Sequence, residues 1–274
     1  NGRRRMRKGY DPHFLGTEVA APASTHGDGV LLDGSDVLLY THFSLHLSAE
    51  RRLARWVAWT IDAATLRSGD LVSRKGLRFA ADPRLPASVQ TLDDVYDHNR
   101  LDRGHLARRA DLLWGSDAAA HAANRDSFFF TNICPQMDSF NQSRVGGLWG
   151  NLEDALREFV VDGGGTRVAV LAGPVLAASD PVYRGCGVPL DFWKVLAHVD
   201  AAGALRVRAF LVTQDLDGLA GARIDDEYRL YGLPVSDVSA RTGLVFAEAV
   251  LDADVTRGVL PAVQRIDALA DIAW

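Results

Sequence analysis

Cysteine is scarce in these 274 residues: there are two, Cys134 and Cys186, far apart in the chain and outside any CxxC pair. Such spacing gives a structural zinc site no ligand set and permits one disulfide without implying it, so buried free thiols are the expectation. Long apolar runs are lacking as well. The best stretch, 168-VAVLAGPVLAA-178, is interrupted by Gly173 and Pro174 and falls short of the roughly 20 residues that span a bilayer, so no membrane partner is expected. There is no G-x-S-x-G to carry a triad nucleophile, no Walker A loop, no H-E-x-x-H and no dinucleotide fingerprint. Internal repeats and low-complexity linkers are absent too, which leaves a second domain unsupported. The chain opens at Asn1 with neither a methionine nor an apolar signal region, as expected of a fragment, a mature form or part of something longer, and its compartment stays open.

What is present suits one large core: 47% of the residues are hydrophobic and 24% charged. The formal charge is −5. Arg3, Arg4, Arg5, Arg7 and Lys8 supply five of the 30 basic residues, so the rest of the chain is strongly acidic. A surface that attracts nucleic acid all over is thereby excluded, and any polyanion must meet a local basic cleft. The start RRRMRK is either a loose electrostatic anchor for nucleic acid or a solvated linker.

Residues 1–36, rich in Arg, Gly, Pro and Ala without a sustained period, read as an extended N-terminal arm, and 37–274 as a single domain. Alternation in 37-VLLYTHFSLHL-47 predicts one strand, with His42 and His46 in its exposed or edge set. Ser48 is expected to cap a short helix over 49–56, followed by a strand over 56–62. Apolar runs at 167–173, 192–200 and 205–214 predict sheet strands, and Leu152, Leu156 and Phe159 mark one face of a helix over 148–160. The expected fold class is α+β, a central antiparallel-rich β-sheet flanked by helices.

The quartet Asp102-Arg103-Gly104-His105 (DRGH) serves equally well as a polar turn or as a site. Downstream, 127-SFFFTNICPQMDSFNQ-142 predicts a buried strand over Ser127–Thr131, with Asn132 at its end before a Pro-containing turn, then Asn141 ahead of the helix. Strand, loop, strand and helix in this order can hold one divalent ion. A neutral imidazole at His105, with a reference pKa near 6.5, can take a proton from water, so a hydrolytic rate is expected to fall in acid below about that value. Magnesium takes few protein ligands, so one amide oxygen from Asn141 leaves room for a phosphate. Arg103 has the donor fork for a phosphate, and residues two apart share a strand face with each other, here Arg103 and His105.

These segments, with Thr131-Asn132-Ile133-Cys134-Pro135-Gln136, Phe140-Asn141 and Leu148-Trp149 through Leu152-Glu153, resemble the non-specific DNA/RNA endonuclease family of the ββα-metal type, which includes the endonuclease G-like enzymes. The entry 9-GYDPHFLG-16, the strand 40-YTHFSLHLS-48, the pair 171-LAGPV-175 and 188-VPLDFWKVL-196, and the closing 238-VSARTGLVF-246 extend the likeness over most of 9–246. The resemblance implies a metal-dependent endonuclease acting on DNA and RNA through the phosphate backbone, with Mg²⁺, or Mn²⁺, as cofactor. It implies His105 as the base that activates water, Asn141 as the metal ligand, Arg103 on phosphate, Asn132 bracing the histidine turn and Glu153 as acceptor for metal-bound water. Asn141 and Glu153 stand twelve residues apart where much of the family has eight, so Glu153 keeps that place only if Gly146-Gly147 absorbs the excess; otherwise it is an exposed or capping residue.

Arg108, Arg109 and Arg144 are candidates for a phosphate groove or ordinary surface arginines. Asp102 is expected to serve a backbone amide or an arginine rather than a metal, and Trp114 and Trp149 to lie in the core. The rival function is a catalytically silent member that binds nucleic acid or a partner protein. An enzyme narrowed to one nucleic acid, an effector regulated by a larger parent chain, and a homodimer stay open.

Overall fold

The structure is a computed structural model and describes residues 7–162, 167–216, 229–259, 263–269 and 272. Ten strands carry the argument: β1 (Val37–Leu39), β2 (Phe43–Leu47), β3 (Ala54–Asp62), β4 (Leu101–His105), β5 (Ile133–Met137), β6 (Arg167–Pro174), β7 (Asp191–Val199), β8 (Leu205–Thr213), β9 (Arg229–Leu233) and β10 (Gln264–Arg265). Eight of them form one antiparallel sheet in the order β10-β9-β8-β7-β6-β3-β2-β1. Strands β4 and β5 make a separate two-stranded ribbon. The helices α1 (Asp117–Asp126), α2 (Leu148–Asp162) and α3 (Val235–Thr242) pack around the sheet. The α+β architecture expected from the sequence is the one observed.

Both faces of the sheet are covered, because its central strands alternate between two apolar sets. In β3, Val57, Trp59 and Ile61 face one core, and Trp56 and Ala58 the other. The first core takes Leu152, Leu156 and Val160 of α2 together with the ribbon residues Leu101, Ile133 and Met137. The second takes Val235 and Val238 of α3 and, from the N-terminal arm, Tyr10 and Val19. Tyr10 donates its hydroxyl to the Val19 carbonyl at 2.6 Å, which pins the arm as it crosses the sheet. The ribbon is therefore seated on the first core. Cys134 and Cys186 are free and buried. Among the described residues no helix is long and apolar enough to cross a membrane.

Four local expectations are corrected. The segment 37–47 is a hairpin and not one strand: Tyr40 N–H donates to the Phe43 carbonyl at 2.9 Å, and His42 takes φ +70° at the turn. The Asp126 carboxylate holds that turn by accepting from Thr41 N and Oγ1 at 3.0 and 2.9 Å, and also takes the Arg7 guanidinium. Neither histidine is an exposed edge residue. His42 stacks on Trp114 with ring centroids 3.6 Å apart and donates Nδ1–H to the Leu112 carbonyl, while His46 is buried.

Ala49–Leu53 is a tight turn into β3, with Arg52 at φ +57°, and Ser48 Oγ accepts only from Arg51 N at 3.0 Å, so no helix starts there. The run Ser127–Thr131 is not a strand either. Ser127 N–H ends α1 on the Ala123 carbonyl, and Phe128 and Phe130 clasp the backbone of Ala80, so the strand starts at Ile133 instead. Pro135 is tolerated inside it because a two-stranded ribbon has an open edge, where Gln214 takes up the Met137 N–H at 2.8 Å.

Asp126→Ala strips the hairpin turn and the arm of a shared acceptor, and is expected to cost about 2–4 kcal/mol of unfolding free energy. Asp126→Asn, which keeps one acceptor oxygen, should cost less. Urea midpoints of the two variants against the parent check the order.

Candidate active site

The ribbon brings the DRGH quartet against the segment after β5. Asp102 stands opposite Gln136, Arg103 opposite Pro135, Gly104 opposite Cys134 and His105 opposite Ile133. Gly104 has no alternative, since a Cβ there would run into the fully buried Gln136 side chain. Pleating sends Asp102 to one face of the ribbon and Arg103 and His105 to the other.

On the first face, Asp102 Oδ2 accepts from Asn141 Nδ2 at 2.9 Å and from Gln142 Nε2 at 2.7 Å. Its partners are two side-chain amides, not the backbone amide or arginine expected. A carboxylate oxygen can only accept, so each amide must turn its nitrogen to Asp102 and its oxygen away. Asn141 thus presents Oδ1 outward. Gln142 Oε1 takes Arg144 Nε at 2.8 Å, which ties that exposed arginine to the same carboxylate through one intermediary.

The extra residues between Asn141 and Glu153 fold out of the way. Asp138–Asn141 is one helical turn, Ser143–Val145 a 3₁₀ turn, and Gly146 closes it at φ +88°. The chain then doubles back so closely that a Cβ on Gly150 would sit 2.5 Å from the Asn141 carbonyl oxygen and 2.6 Å from Ser143 N. Helix α2 therefore starts against the backbone of Asn141, and Glu153 follows one turn later, about 4.5 Å along the axis. Glu153 is buried and is neither exposed nor a cap. Lys194 Nζ donates to its Oε1 at 3.3 Å, and Arg108 Nε lies 3.5 Å from its Oε2.

Arg108 is already engaged by carboxylates. It spans Glu153 and Asp154, the latter at 2.5 Å, and although burial opposes its charge, these carboxylates and Asp111 raise its pKa. Asp111 is buried beside them and accepts from Trp59 Nε1 at 3.3 Å. Burial, with the Glu153 charge adding, pushes its pKa up to about 6 against the opposing pull of Arg108 and Lys194. With two cations facing three carboxylates, Asp111 is the member placed to take a proton.

On the second face, Arg103 lies over Phe79 and Tyr96 at 5.7 and 5.3 Å, and its Nε donates to Asp93 at 2.7 Å. His105 shares Phe79 with it, ring centroids 5.6 Å apart, and meets Phe128 edge-on. His105 Nε2 is buried and has no hydrogen-bond partner among the described residues. Burial first, then the charges of Arg109 and Arg74, lowers the imidazole pKa to about 4. The imidazole pKa thus lies well below the reference value near 6.5. Asn132 clasps Ala107, two residues on, accepting from its N–H at 2.9 Å and donating to its carbonyl at 3.0 Å. Arg109 is tied to Asn124 and to the Val72 carbonyl.

The structure thus joins Asp102 with Asn141 and Gln142, and Glu153 with Arg108. No hydrogen bond links His105 to Asn141 among the described residues. Sequence reasoning missed Phe79, Tyr96, Asp93, Arg74, Asp111 and Lys194. Only Lys194 left a signal, as a lone charge inside the apolar run 192-FWKVLA-197.

Donor chemistry fits one divalent ion poorly served by protein. Among the described residues no group of three or more His, Cys, Asp or Glu can hold a metal. The outward Asn141 Oδ1 is a hard oxygen of the kind magnesium accepts alongside water.

Gly150→Ala should lever α2 off the Asn141 segment and cost about 1–3 kcal/mol, because the obstructing atoms are backbone; a urea midpoint equal to the parent's would show that α2 is not seated there. The depressed His105 pKa also makes a statement about folding. Unfolded imidazole binds a proton below about 6.5 and the folded ring only near 4, so stability present above the first value is lost as pH falls toward the second. His105→Asn should flatten that part of the pH–stability curve, measured by thermal melts between pH 7 and pH 4.

A family model described as DNA/RNA non-specific endonuclease matches residues 22–253. An uncharacterized protein of Sinorhizobium fredii is 34% identical over 275 residues, 92% of this chain and 40% of that protein. A nuclease of Nostoc is 26% identical over 78% of this chain and 74% of its own length. Human mitochondrial endonuclease G is 27% identical over 73% of this chain and 65% of its own. The chain thus spans less than half of the rhizobial relative. Among solved structures, the crystal structure of the EndoG/EndoGI complex matches in fold, with a TM-score of 0.62 at 19% identity over 81% of this chain and 88% of that one. With the DRGH ribbon, the Asn141 turn and helix α2 all inside the matched span, the chain belongs to the DNA/RNA non-specific endonuclease family.

Proposed function

We propose that this chain is a divalent-metal-dependent endonuclease that hydrolyses phosphodiester bonds of DNA and RNA without sequence preference. The observation that carries this reading is the lock on Asn141, whose Nδ2 is committed to Asp102 at 2.9 Å so that Oδ1 is left as an oxygen donor. Mg²⁺ suits a site with one amide oxygen, water and substrate phosphate as ligands, and Mn²⁺ is the alternative. When bound, such an ion supplies charge neutralisation at the scissile phosphate and at the leaving oxygen.

The chain's own residues do the rest. His105, neutral above about pH 4, takes a proton from the attacking water while Asn132 fixes the turn behind it. The P–O bond to the leaving nucleotide breaks as the new P–O bond forms, the leaving oxygen takes a proton from solvent water, and His105 later gives its own proton to solvent. Arg103 exchanges Asp93, a largely exposed partner and hence a weak one, for a phosphate oxygen. Arg109 and Arg74 add positive charge around the histidine, Arg144 does so beside Asn141, and Glu153 would serve as acceptor for water that a bound ion carries. Contacts of this kind see the backbone and not base edges, so DNA and RNA both qualify.

The short coverage of the rhizobial relative supports a larger parent chain. The matched EndoG structure is of a complex that describes inhibition, which supports a regulatory protein partner here as well. A homodimer is part of the same proposal.

The protein is expected to degrade plasmid DNA and RNA with Mg²⁺ or Mn²⁺ and to stop in EDTA. His105→Ala should lower the rate by roughly 10²- to 10⁴-fold while DNA binding persists. Intact substrate after prolonged incubation of folded protein with several divalent ions favours the silent binder, and a His105→Ala variant that cuts at the parent rate removes the histidine from its role.

A further inference from the structure

Lys194 lies in the middle of β7, between Phe192 and Leu196, on the sheet face that supports α2. It is fully buried. Its ammonium sits 4.0 Å from the centre of the Trp149 ring and 5.7 Å from that of Trp59, and donates to Glu153 Oε1 at 3.3 Å. Arg108, from the segment that follows His105, takes the other oxygen. The two oxygens of Glu153 are thus held by two cations from different parts of the fold, one below it in the sheet and one beside the DRGH ribbon.

Stability alone is a poor reason for this arrangement. An ammonium and a carboxylate withdrawn from water are costly, and apolar side chains of similar volume in place of the whole pair are often at least as stable. Burial accordingly draws the Lys194 pKa down, with Glu153 and Asp111 opposing. We propose that Lys194 is a positioning residue for phosphodiester hydrolysis, acting through Glu153 by fixing the direction in which that carboxylate faces the Asn141 edge of the site. The inference rests on the reading of Glu153 as part of the nuclease centre. Trp149 serves as the wall that keeps the ammonium from turning elsewhere, and Arg108 alone, with a contact at 3.5 Å and Asp154 competing for it, does not fix both oxygens.

The test is a double-variant cycle on the Mg²⁺-loaded protein with plasmid DNA, using the parent, Lys194→Met, Glu153→Gln and the pair combined. Lys194→Met is expected to lower kcat by roughly 10- to 100-fold with KM within about twofold. Its urea midpoint is expected to fall, because Glu153 is left buried with one cation fewer, and the combined variant should recover part of that loss, so rates are compared on folded protein. The combined variant should be no slower than Glu153→Gln alone, since a residue that works through Glu153 has nothing left to position. Parent-like kcat in Lys194→Met, or losses that multiply in the combined variant, overturns the proposal. Should Lys194→Met not fold, Lys194→Gln is measured against the same criteria, and failure of both to fold makes Lys194 a stability element and overturns the proposal as well. A parent protein that does not cut overturns the nuclease reading itself, a result distinct from a cutting parent with an unaffected Lys194→Met.

Discussion

One carboxylate oxygen organises the site. Asp102 Oδ2 receives two side-chain amides from consecutive residues, and so fixes both the position of the Asn141–Gln142 segment against the ribbon and the way each amide points. A neutral partner at position 102 would let either amide flip, since an amide's two ends are nearly alike in shape and differ only in hydrogen bonding. The turn of the Asn141 amide, the placement of Arg144 and the docking of the ribbon therefore share a single cause. Pleating lets the neighbours Arg103 and His105 turn to the opposite face, where aromatic rings flank both and Asp93 holds the arginine. One face of the ribbon is polar and directional, and the other is packed and leaves a ring nitrogen without a partner.

Beneath the polar face lies a floor of buried charge. Lys194, Arg108, Glu153, Asp154 and Asp111 join the sheet, the segment after β4 and helix α2 by electrostatic contacts that must be satisfied together. Such a network is less a source of stability than of definition, because a helix sliding by a fraction of a turn would strand at least one charge. The sheet's second core makes this affordable: Tyr10, Val19, Val235 and Val238 complete the apolar burial without calling on the site side.

Periodicity made the central strands legible, since their apolar runs are long and their neighbours are turns. It failed where tertiary contacts decide. The alternation through 37–47 looks continuous because the turn at Thr41-His42 is imposed by Asp126, 84 to 85 residues away in sequence. The apolar Ser127–Thr131 run packs its rings without pairing its backbone in the ribbon, while the proline-bearing ICPQM does pair. Helix α1, DAAAHAANRD, lacks large apolar residues and gave no stripe to detect, although Ser116 caps it in the ordinary way. At the site, residue types and order were readable for His105, Asn132, Asn141 and Glu153, but their partners were not. Asp93, Phe79 and Lys194 come from remote segments, and no local pattern announces them.

The seating of Gly150 on the backbone of Asn141 has a consequence for how this fold can vary. Because the return of the chain is registered by backbone contact, the number of residues looped out between the two points is free to change while the points themselves stay together. A glycine at that contact acts as a fixed hinge pin around which the loop is a detachable ornament, open to acquiring length, charge or a recognition role of its own without disturbing what lies on either side.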